Sequence, residues 1–178
     1  IIPEGYKSPL SVQETERAIK YVKDTFEHTF ADAMNLLRIS APLFVDAESG
    51  LNDNLNGVER PVSFEIKNMG ETMEIVHSLA KWKRQALKNY GFAMHAGLYT
   101  DMNAIRRDED TDNLHSVYVD QWDWEKVISR ADRTREYLEQ TVRVIVRVLA
   151  ATELAACAMF PCLAPVVNPD VKFITSEE

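Results

Sequence analysis

The feature that most restricts the fold of this chain is the alternating pattern of residues 114–123. Alternate side chains of a β-strand point to opposite faces of a sheet. One set of alternate positions comprises Leu114, Ser116, Tyr118, Asp120 and Trp122, and the other comprises His115, Val117, Val119, Gln121 and Asp123. Gln121 and Asp123 would therefore lie on one face, roughly 7 Å apart. This fixed polar pair predicts a binding site for a small ligand that carries an ammonium group.

The segment before this strand, residues 106–110, is a charged loop. It contains Arg106 and Arg107, followed by Asp108, Glu109 and Asp110. A guanidinium group is a planar cation whose donors match the oxygens of a phosphate. An arginine loop that leads into a strand with a Gln-x-Asp pair predicts a site for a nucleotide together with an amino acid. The alternative is a solvated loop in which the arginines pair with the neighbouring carboxylates.

A second candidate site lies in residues 77–84, HSLAKWKR, where a strand is expected to end and a helix to begin. Lys81, Lys83 and Arg84 concentrate positive charge in an acidic chain, and this charge predicts binding of a carboxylate or a polyphosphate. The alternative is the ordinary basic start of a helix. We expect His77 to be a hydrogen-bonded core histidine rather than a catalyst. No second histidine or carboxylate has metal-ligand spacing to it, so no metal site is predicted.

A third candidate is the loop of residues 52–57, NDNLNG. Asn and Asp favour turns because their side chains bond to their own backbone. The first interpretation of this loop is therefore a simple turn. The functional alternative is that Asp53 lies on a mobile loop over a site and accepts hydrogen bonds from an amine or ammonium group.

Composition and charge narrow the classes of function. A chain of 178 residues, 46% of them hydrophobic, is long enough for one domain with a sizeable core. A net charge of −8 argues against general nucleic-acid binding, which needs a clustered basic surface. No apolar run approaches the roughly 20 residues that span a bilayer. Cys157 and Cys162 match no zinc or redox spacing, so we expect reduced thiols in a cytoplasmic protein.

Three helices are predicted from the spacing of apolar residues. Ser11 and Glu14 have the pattern of a capping box, in which each satisfies a backbone donor of the other. Apolar residues then recur at three- and four-residue steps as far as Leu37, which predicts one long helix. A short helix is expected over residues 79–88 and a second long helix over residues 124–159.

Strands are predicted mainly in the middle of the chain. Residues 61–67 and 72–76 alternate around a turn, which predicts a hairpin. Extended structure is also expected over residues 39–45, where Pro42 excludes helix, near residues 98–100 and over residues 171–174. Together with the long flanking helices, these strands predict an α+β fold with an antiparallel sheet. The chain has six glycines and no Gly-rich turn after a strand, so a Rossmann or P-loop nucleotide site is unsupported.

Several of these segments resemble one enzyme family. The segments are HSLAKWKRQAL at residues 77–87, GLYTDMNAIRRDED at 97–110, LHSVYVDQWDWE at 114–125 and DNLNG at 53–57. In order and spacing, from about Tyr21 to the end of the chain, they resemble ammonia-dependent asparagine synthetase, the aspartate–ammonia ligase family. That family is similar in fold to the catalytic domain of class II aminoacyl-tRNA synthetases. The resemblance therefore implies a sheet of six to eight antiparallel strands with flanking helices.

The resemblance implies a two-step reaction that uses ATP. The β-carboxylate of L-aspartate attacks the α-phosphorus of ATP, which gives β-aspartyl-AMP and pyrophosphate, and ammonia then displaces AMP. Mg²⁺ would bridge the phosphates. Arg106 would hold the α-phosphate; Arg107 also lies in the ATP-binding loop, and the register between the two arginines is open. The long helix followed by the Pro42 strand resembles the motif with which class II synthetases form homodimers.

The resemblance also implies which residues bind aspartate and ammonia. Gln121 and Asp123 would bind the aspartate backbone, with Asp123 taking the ammonium group. Lys83 would pair with a substrate carboxylate, and Ser78 would donate a hydrogen bond nearby. Asp53 would face the incoming ammonia and help to position or deprotonate it. We thus expect Asp53, Arg106 and Gln121 to be catalytic, and Ser78, Lys83, Gln121 and Asp123 to bind the substrate.

One departure from the family pattern limits these expectations. The third motif of the family, a Gly-rich segment that ends in an arginine, has no counterpart here. We therefore expect a single catalytic domain truncated at the C-terminus, inactive as 178 residues alone. Two other interpretations stay open. One is the core of an aspartyl- or asparaginyl-tRNA synthetase, which would need an anticodon-binding domain. The other is a non-catalytic half domain that dimerises or binds aspartate.

Overall fold

The computed structural model describes residues 2–53 and 55–175, which form two compact units. The first unit contains Leu36–Val127 together with residues 2–4, and it holds all the strands. The second contains Gly5–Asn35 and residues 128–175, and it holds the two long helices. Among the helices described, none is long and apolar enough to cross a membrane.

The first helix, α1, spans Val12–Met34 and begins as predicted. The Ser11 hydroxyl accepts from the Glu14 amide at 3.3 Å, and the Glu14 carboxylate accepts from the Ser11 amide at 2.9 Å, so the capping box is confirmed. The predicted extension of this helix to Leu37 is wrong. Asn35 adopts a left-handed conformation (φ 57°), which ends the helix, and strand β1 follows at Leu36–Arg38.

The second long helix, α3, spans Arg135–Met159. Its predicted start at Trp124 is wrong, because residues up to Lys126 belong to a strand. The helix begins instead at Arg135, after the N-cap Thr134, whose hydroxyl accepts from the Tyr137 amide at 3.2 Å. Helix α3 packs against α1 within the second unit.

Residues 160–175, the described part of the chain after α3, form no strand. Residues 171–174 lack strand pairing anywhere in the described part of the chain, so the predicted terminal strand is wrong. The Glu153 carboxylate instead accepts from the amides of Val166 and Val167, at 2.8 and 2.9 Å. The guanidinium of Arg143 lies 5.0 Å from the ring centre of Phe173. These contacts join the tail to α3.

The strands of the first unit form two three-stranded sheets. In one sheet, β5 (Gly97–Ile105) lies between β1 and β6 (Tyr118–Lys126). Strands β5 and β6 are antiparallel, as predicted, whereas β1 runs parallel to β5. Strand β6 begins four residues later than the alternating pattern predicts. The Asp112 carboxylate accepts from the amides of Leu114 and His115, both at 2.7 Å, and this turn keeps residues 114–117 out of the strand.

The other sheet is antiparallel throughout. It contains β2 (Phe44–Asp46), β3 (Ser63–Glu65) and β4 (Thr72–Ile75), with β4 in the centre. The predicted hairpin is confirmed as β3–β4. The expected extended segment at residues 39–45 is divided, because Pro42 lies between two strands that pair with different sheets.

A short helix, α2 (Ala80–Asn89), follows β4 and packs on strands β5 and β6, close to its predicted position. Two apolar clusters form the core of the first unit. The first contains Val45, Val76, Leu79, Met102 and Ala104, and the second contains Ala86, Leu87 and Leu98. Every β5 residue in these clusters lies on one face of that strand, so this face is the buried one.

Candidate functional site

The polar pair Gln121 and Asp123 lies on the buried face of the β5–β6 ladder. Cross-strand partners share a face, and Met102 pairs with Gln121 while Thr100 pairs with Asp123. Met102 and Thr100 are each 1% exposed. Gln121 and Asp123 are partly buried themselves. The prediction that both residues occupy one face is confirmed.

Lys83 of α2 faces this pair from across the core. Its Nζ donates to Asp123 Oδ1 at 2.5 Å and to the Trp124 carbonyl at 2.9 Å, and Glu125 Oε2 lies 3.8 Å away. Lys83 is only 5% exposed, and such a charge needs a carboxylate partner to remain buried. The family resemblance implied that Lys83 binds a carboxylate of the substrate and that Asp123 binds its ammonium group. The structure brings these two side chains together. Here they bind each other.

Arg84, the next residue of α2, is exposed to solvent, unlike Lys83. Its Nε lies 4.0 Å from Glu125 Oε1, and its side chain is 72% exposed. One of Lys81, Lys83 and Arg84 was expected to bind an anion, and of these three only Lys83 is buried beside the polar pair.

Ser78 and His77 occupy the connection between β4 and α2. The Ser78 hydroxyl accepts from the Ala80 amide at 3.1 Å and can still donate a hydrogen bond. His77 is 1% exposed, and its Nδ1 lies 3.2 Å from the Asp53 carbonyl oxygen. The expectation of a hydrogen-bonded core histidine is confirmed.

Asp53 is partly buried and lies beside this connection. Its carboxylate accepts from the Leu55 amide at 3.3 Å. The preceding residue, Asn52, is 6% exposed and makes five hydrogen bonds, three of which attach the loop to β4 and α2. Sequence reasoning treated Asn52 as part of a simple turn. Only its position directly before Asp53 could have drawn attention to it.

The two arginines of the loop, Arg106 and Arg107, lie in different environments. Arg106 is partly buried, and its backbone amide donates to the Val117 carbonyl at 2.8 Å. Among residues 2–53 and 55–175, the buried Nε of Arg106 has no hydrogen-bond partner. Arg107 is exposed and directs Nη1 to the Pro61 carbonyl at 3.5 Å. Of the two arginines, Arg106 is thus the one with a buried donor that has no partner among the described residues.

The alternative, in which Arg106 and Arg107 pair with Asp108 to Asp110, does not describe the ion pair of Asp108. Asp108 accepts instead from the backbone amide and the side chain of Arg60, with the Nη2 contact at 2.5 Å. These hydrogen bonds hold the pKa of Asp108 well below its usual range. Arg60, which the sequence did not single out, thus attaches the arginine loop to the segment before β3.

The far end of the same loop contains a second charged pair. His115 Nδ1 lies 3.0 Å from the Asp112 carboxylate, and this contact raises the pKa of His115. Backbone donation from Leu114, together with His115, lowers the pKa of Asp112 to about 2. Both side chains are exposed, so this pair forms a turn rather than a reaction centre.

The described residues do not form a metal site by themselves. No group of three or more His, Cys, Asp or Glu side chains in residues 2–53 and 55–175 is arranged to hold an ion. A metal in this part of the molecule would therefore depend on ligand oxygens that the described residues do not supply.

Comparison with known sequences identifies one family. The family profile described as aspartate-ammonia ligase matches residues 13–178. The aspartate–ammonia ligase of Ruminiclostridium cellulolyticum is 59% identical over 100% of this chain, and that of Limosilactobacillus reuteri is 57% identical over 99%. In both cases the match covers 53% of the relative, so the chain spans about half the length of these curated relatives.

Comparison with solved structures identifies the fold. The asparaginyl-tRNA synthetase of Entamoeba histolytica superposes with a TM-score of 0.53 at 14% identity, over 86% of this chain and 31% of that one. The pyrrolysyl-tRNA synthetase of Desulfitobacterium hafniense gives 0.53 at 10% identity, over 74% and 45%. These likenesses show the fold alone. It is part of the class II aminoacyl-tRNA synthetase fold, as the sequence resemblance implied.

Proposed function

This chain belongs to the aspartate–ammonia ligase family, and from that membership we propose that the protein amidates L-aspartate with ammonia to give L-asparagine. The proposed reaction consumes ATP and passes through β-aspartyl-AMP. The observation that carries the proposal is the ion pair of Lys83 and Asp123 beside Gln121 on the buried face of the β5–β6 ladder. L-Aspartate has carboxylates and an ammonium group of opposite charge to these two side chains.

Aspartate binding would replace this internal pair. The substrate ammonium group would take a place beside Asp123, and a substrate carboxylate would pair with Lys83. Gln121 can donate and accept, so it suits the polar backbone of the amino acid. Ser78 would donate its remaining hydrogen bond at the end of β4. Because Lys83 and Asp123 are mostly buried, these contacts would form where water competes weakly.

The activation step requires a cation at the α-phosphate. In this step an oxygen of the β-carboxylate bonds to the α-phosphorus, and the bond from that phosphorus to pyrophosphate breaks. Negative charge accumulates on the phosphate oxygens, and a fixed guanidinium stabilises it. Arg106 is the candidate for this role, because its Nε is buried without a partner in the described part of the chain. Arg107, exposed and directed at Pro61, would assist only after the loop moves.

The amidation step requires a base. Ammonia bonds to the acyl carbon, the carbon–oxygen bond to AMP breaks, and the nitrogen must lose a proton. Asp53 is the candidate to orient ammonia and to take this proton, since it is partly buried and its backbone carbonyl contacts His77, the residue before Ser78. Fold neighbours fit an adenylated intermediate: the E. histolytica asparaginyl-tRNA synthetase has been solved with asparaginyl-adenylate.

Mg²⁺ is expected only as the companion of ATP. It prefers phosphate oxygens and one or two carboxylates. The described residues contain no group of three or more metal ligands, so they do not fit a dedicated site by themselves. We further expect a homodimer in the cytoplasm. Size-exclusion chromatography with light scattering would test the dimer.

The proposed function can be tested at two levels. On the chain itself, calorimetric titration should detect L-aspartate binding that is lost in Asp123→Ala. For the reaction, the chain should replace the matching segment of the R. cellulolyticum relative, with which it is 59% identical. This chimera should release AMP from ATP only when aspartate and ammonium are both present, and Arg106→Ala should abolish it. AMP formation unchanged by Arg106→Ala would remove the assigned role.

The same experiments decide between the proposal and its alternatives. Aspartate binding by the chain, without AMP formation by the chimera, would favour a non-catalytic aspartate-binding half domain. Transfer of aspartate or asparagine to tRNA by the chimera would favour a tRNA synthetase core.

A further inference from the structure

Asn52 holds the backbone immediately before Asp53. Its Oδ1 accepts from the amides of Asp53 and His77, at 3.0 and 2.9 Å. Its Nδ2 donates to Glu74 Oε2 at 3.0 Å, and its carbonyl accepts from Lys81 Nζ at 2.9 Å. A side chain that is 6% exposed and satisfied on both its oxygen and its nitrogen has one available position. The loop is therefore attached to β4 and α2 immediately before Asp53.

His77 completes this attachment from the other side. The Asp53 carbonyl can only accept, so His77 Nδ1 carries the proton and donates to it at 3.2 Å. Nε2 is buried with no partner in residues 2–53 and 55–175. A phenyl ring would fill similar space without an unsatisfied nitrogen. The contact from Nδ1 to Asp53 is thus what a histidine adds at this position.

We propose that Asn52 and His77 are positioning residues for Asp53. Asn52 fixes the Asp53 amide and His77 fixes its carbonyl, so together they set the direction in which the carboxylate leaves the loop. The inference rests on the proposed function, in which Asp53 serves the ammonia step. The two residues would therefore affect amidation and leave the activation of aspartate nearly unchanged.

The test distinguishes the contribution of His77 Nδ1 from that of His77 Nε2. In His77→Asn, the side-chain amide nitrogen lies near the position of Nδ1 and can still donate to Asp53. In His77→Gln, the amide lies near the position of Nε2. His77→Phe removes both nitrogens and keeps the ring. His28→Phe is the matched control, because His28 Nδ1 also faces a backbone carbonyl, that of Asp24 at 2.7 Å, but in the second unit.

Two half-reactions of the chimera are measured for each variant. In His77→Phe, pyrophosphate formation from ATP and aspartate without ammonium should stay within about twofold of wild type. The kcat/KM for ammonium should fall roughly 10- to 100-fold, since a displacement of about 1 Å costs that much. His77→Asn should recover most of this loss, whereas His77→Gln should not. Equal losses in both half-reactions, or recovery by His77→Gln alone, would overturn the proposal.

A second measurement on the chain itself does not depend on catalysis. Hydrogen exchange followed by mass spectrometry should show faster exchange in residues 50–57 for His77→Phe, and wild-type exchange for His77→Asn and His28→Phe. Unchanged exchange in His77→Phe would refute the attachment. If the wild-type chimera forms no pyrophosphate, the proposed function fails, while the exchange data still decide whether His77 holds the loop.

Discussion

Replacing Asp123 with Asn should destabilise the first unit more than replacing its partner Lys83 with Met. The two residues form one ion pair, with side-chain exposures of 17% for Asp123 and 6% for Lys83. Asp123→Asn leaves a positive charge buried without its nearest carboxylate. Lys83→Met removes that charge and substitutes an apolar chain of similar length. Asp123→Asn should therefore lower the free energy of unfolding more, because the charge that it leaves unpaired, that of Lys83, is the more deeply buried of the two.

The structure sets the expected magnitudes. Removing one partner of a buried ion pair costs about 3–5 kcal/mol. In Asp123→Asn, Lys83 retains the Trp124 carbonyl at 2.9 Å, and Glu125 lies 3.8 Å away, so we expect the lower limit, about 3 kcal/mol. In Lys83→Met, Asp123 retains a hydrogen bond from the Trp124 amide at 3.0 Å and partial access to water, which suggests about 1–2 kcal/mol. The double variant should show a coupling of about 2 kcal/mol.

Urea unfolding monitored by tryptophan fluorescence is the appropriate assay. The chain has three tryptophans, at positions 82, 122 and 124, and all lie in the first unit, so the signal reports that unit. The m-value should stay constant while the midpoint shifts. Arg84→Met is the matched control, because Arg84 is exposed and 4.0 Å from Glu125. It should change the free energy of unfolding by less than about 0.5 kcal/mol.

Two results would refute this reasoning. If Lys83→Met destabilises as much as Asp123→Asn, the buried charge is not what makes the pair sensitive. If the two single effects add in the double variant, Lys83 and Asp123 do not interact as the structure indicates.

Three further predictions concern other parts of the molecule. Gly97→Ala should destabilise the first unit by about 1–3 kcal/mol in the same urea assay, because an added Cβ would lie 2.7 Å from Leu36 Cδ2 and also meet the backbone of β6. Ser11→Ala should lower helix stability by about 1 kcal/mol, measured as thermal unfolding by circular dichroism, because the capping box is lost. Asp112→Asn should return the raised pKa of His115 towards its ordinary value, measured by NMR titration. In the wild type, protonated His115 favours the folded form; this contribution is complete below the ordinary histidine pKa and disappears as pH rises through the raised value.

The sequence alone determined those features that depend on near neighbours along the chain. The capping box joins residues three apart, and the β3–β4 hairpin joins strands across a short turn, so local patterns predict both. The same holds for α2, whose apolar spacing is local, and for the shared face of Gln121 and Asp123, which follows from the pleat of any strand. The family motifs are likewise continuous segments, and they identified the fold before any coordinates.

Tertiary structure alone decided the features that depend on distant partners. Strand β6 continues to Lys126 because β5 pairs with it there, and this pairing delays α3 to Arg135. Leu36 leaves the helical pattern because it pairs with Gly97, sixty-one positions later in the numbering. Local propensity cannot contain such information, since the contact exists only after the chain has folded.

In the candidate site, too, some features follow from local sequence and others depend on distant partners. Sequence patterns proposed Lys83 and Asp123 as two separate ligand contacts, and only the folded chain brings them within 2.5 Å of each other. The roles of Asn52 and His77 have the same origin. Both residues look unremarkable in the sequence, one as part of a turn and the other as a core histidine. The proposed roles depend on hydrogen bonds between residues about 25 positions apart, from His77 to Asn52 and to the Asp53 carbonyl, and burial in the folded unit strengthens those bonds.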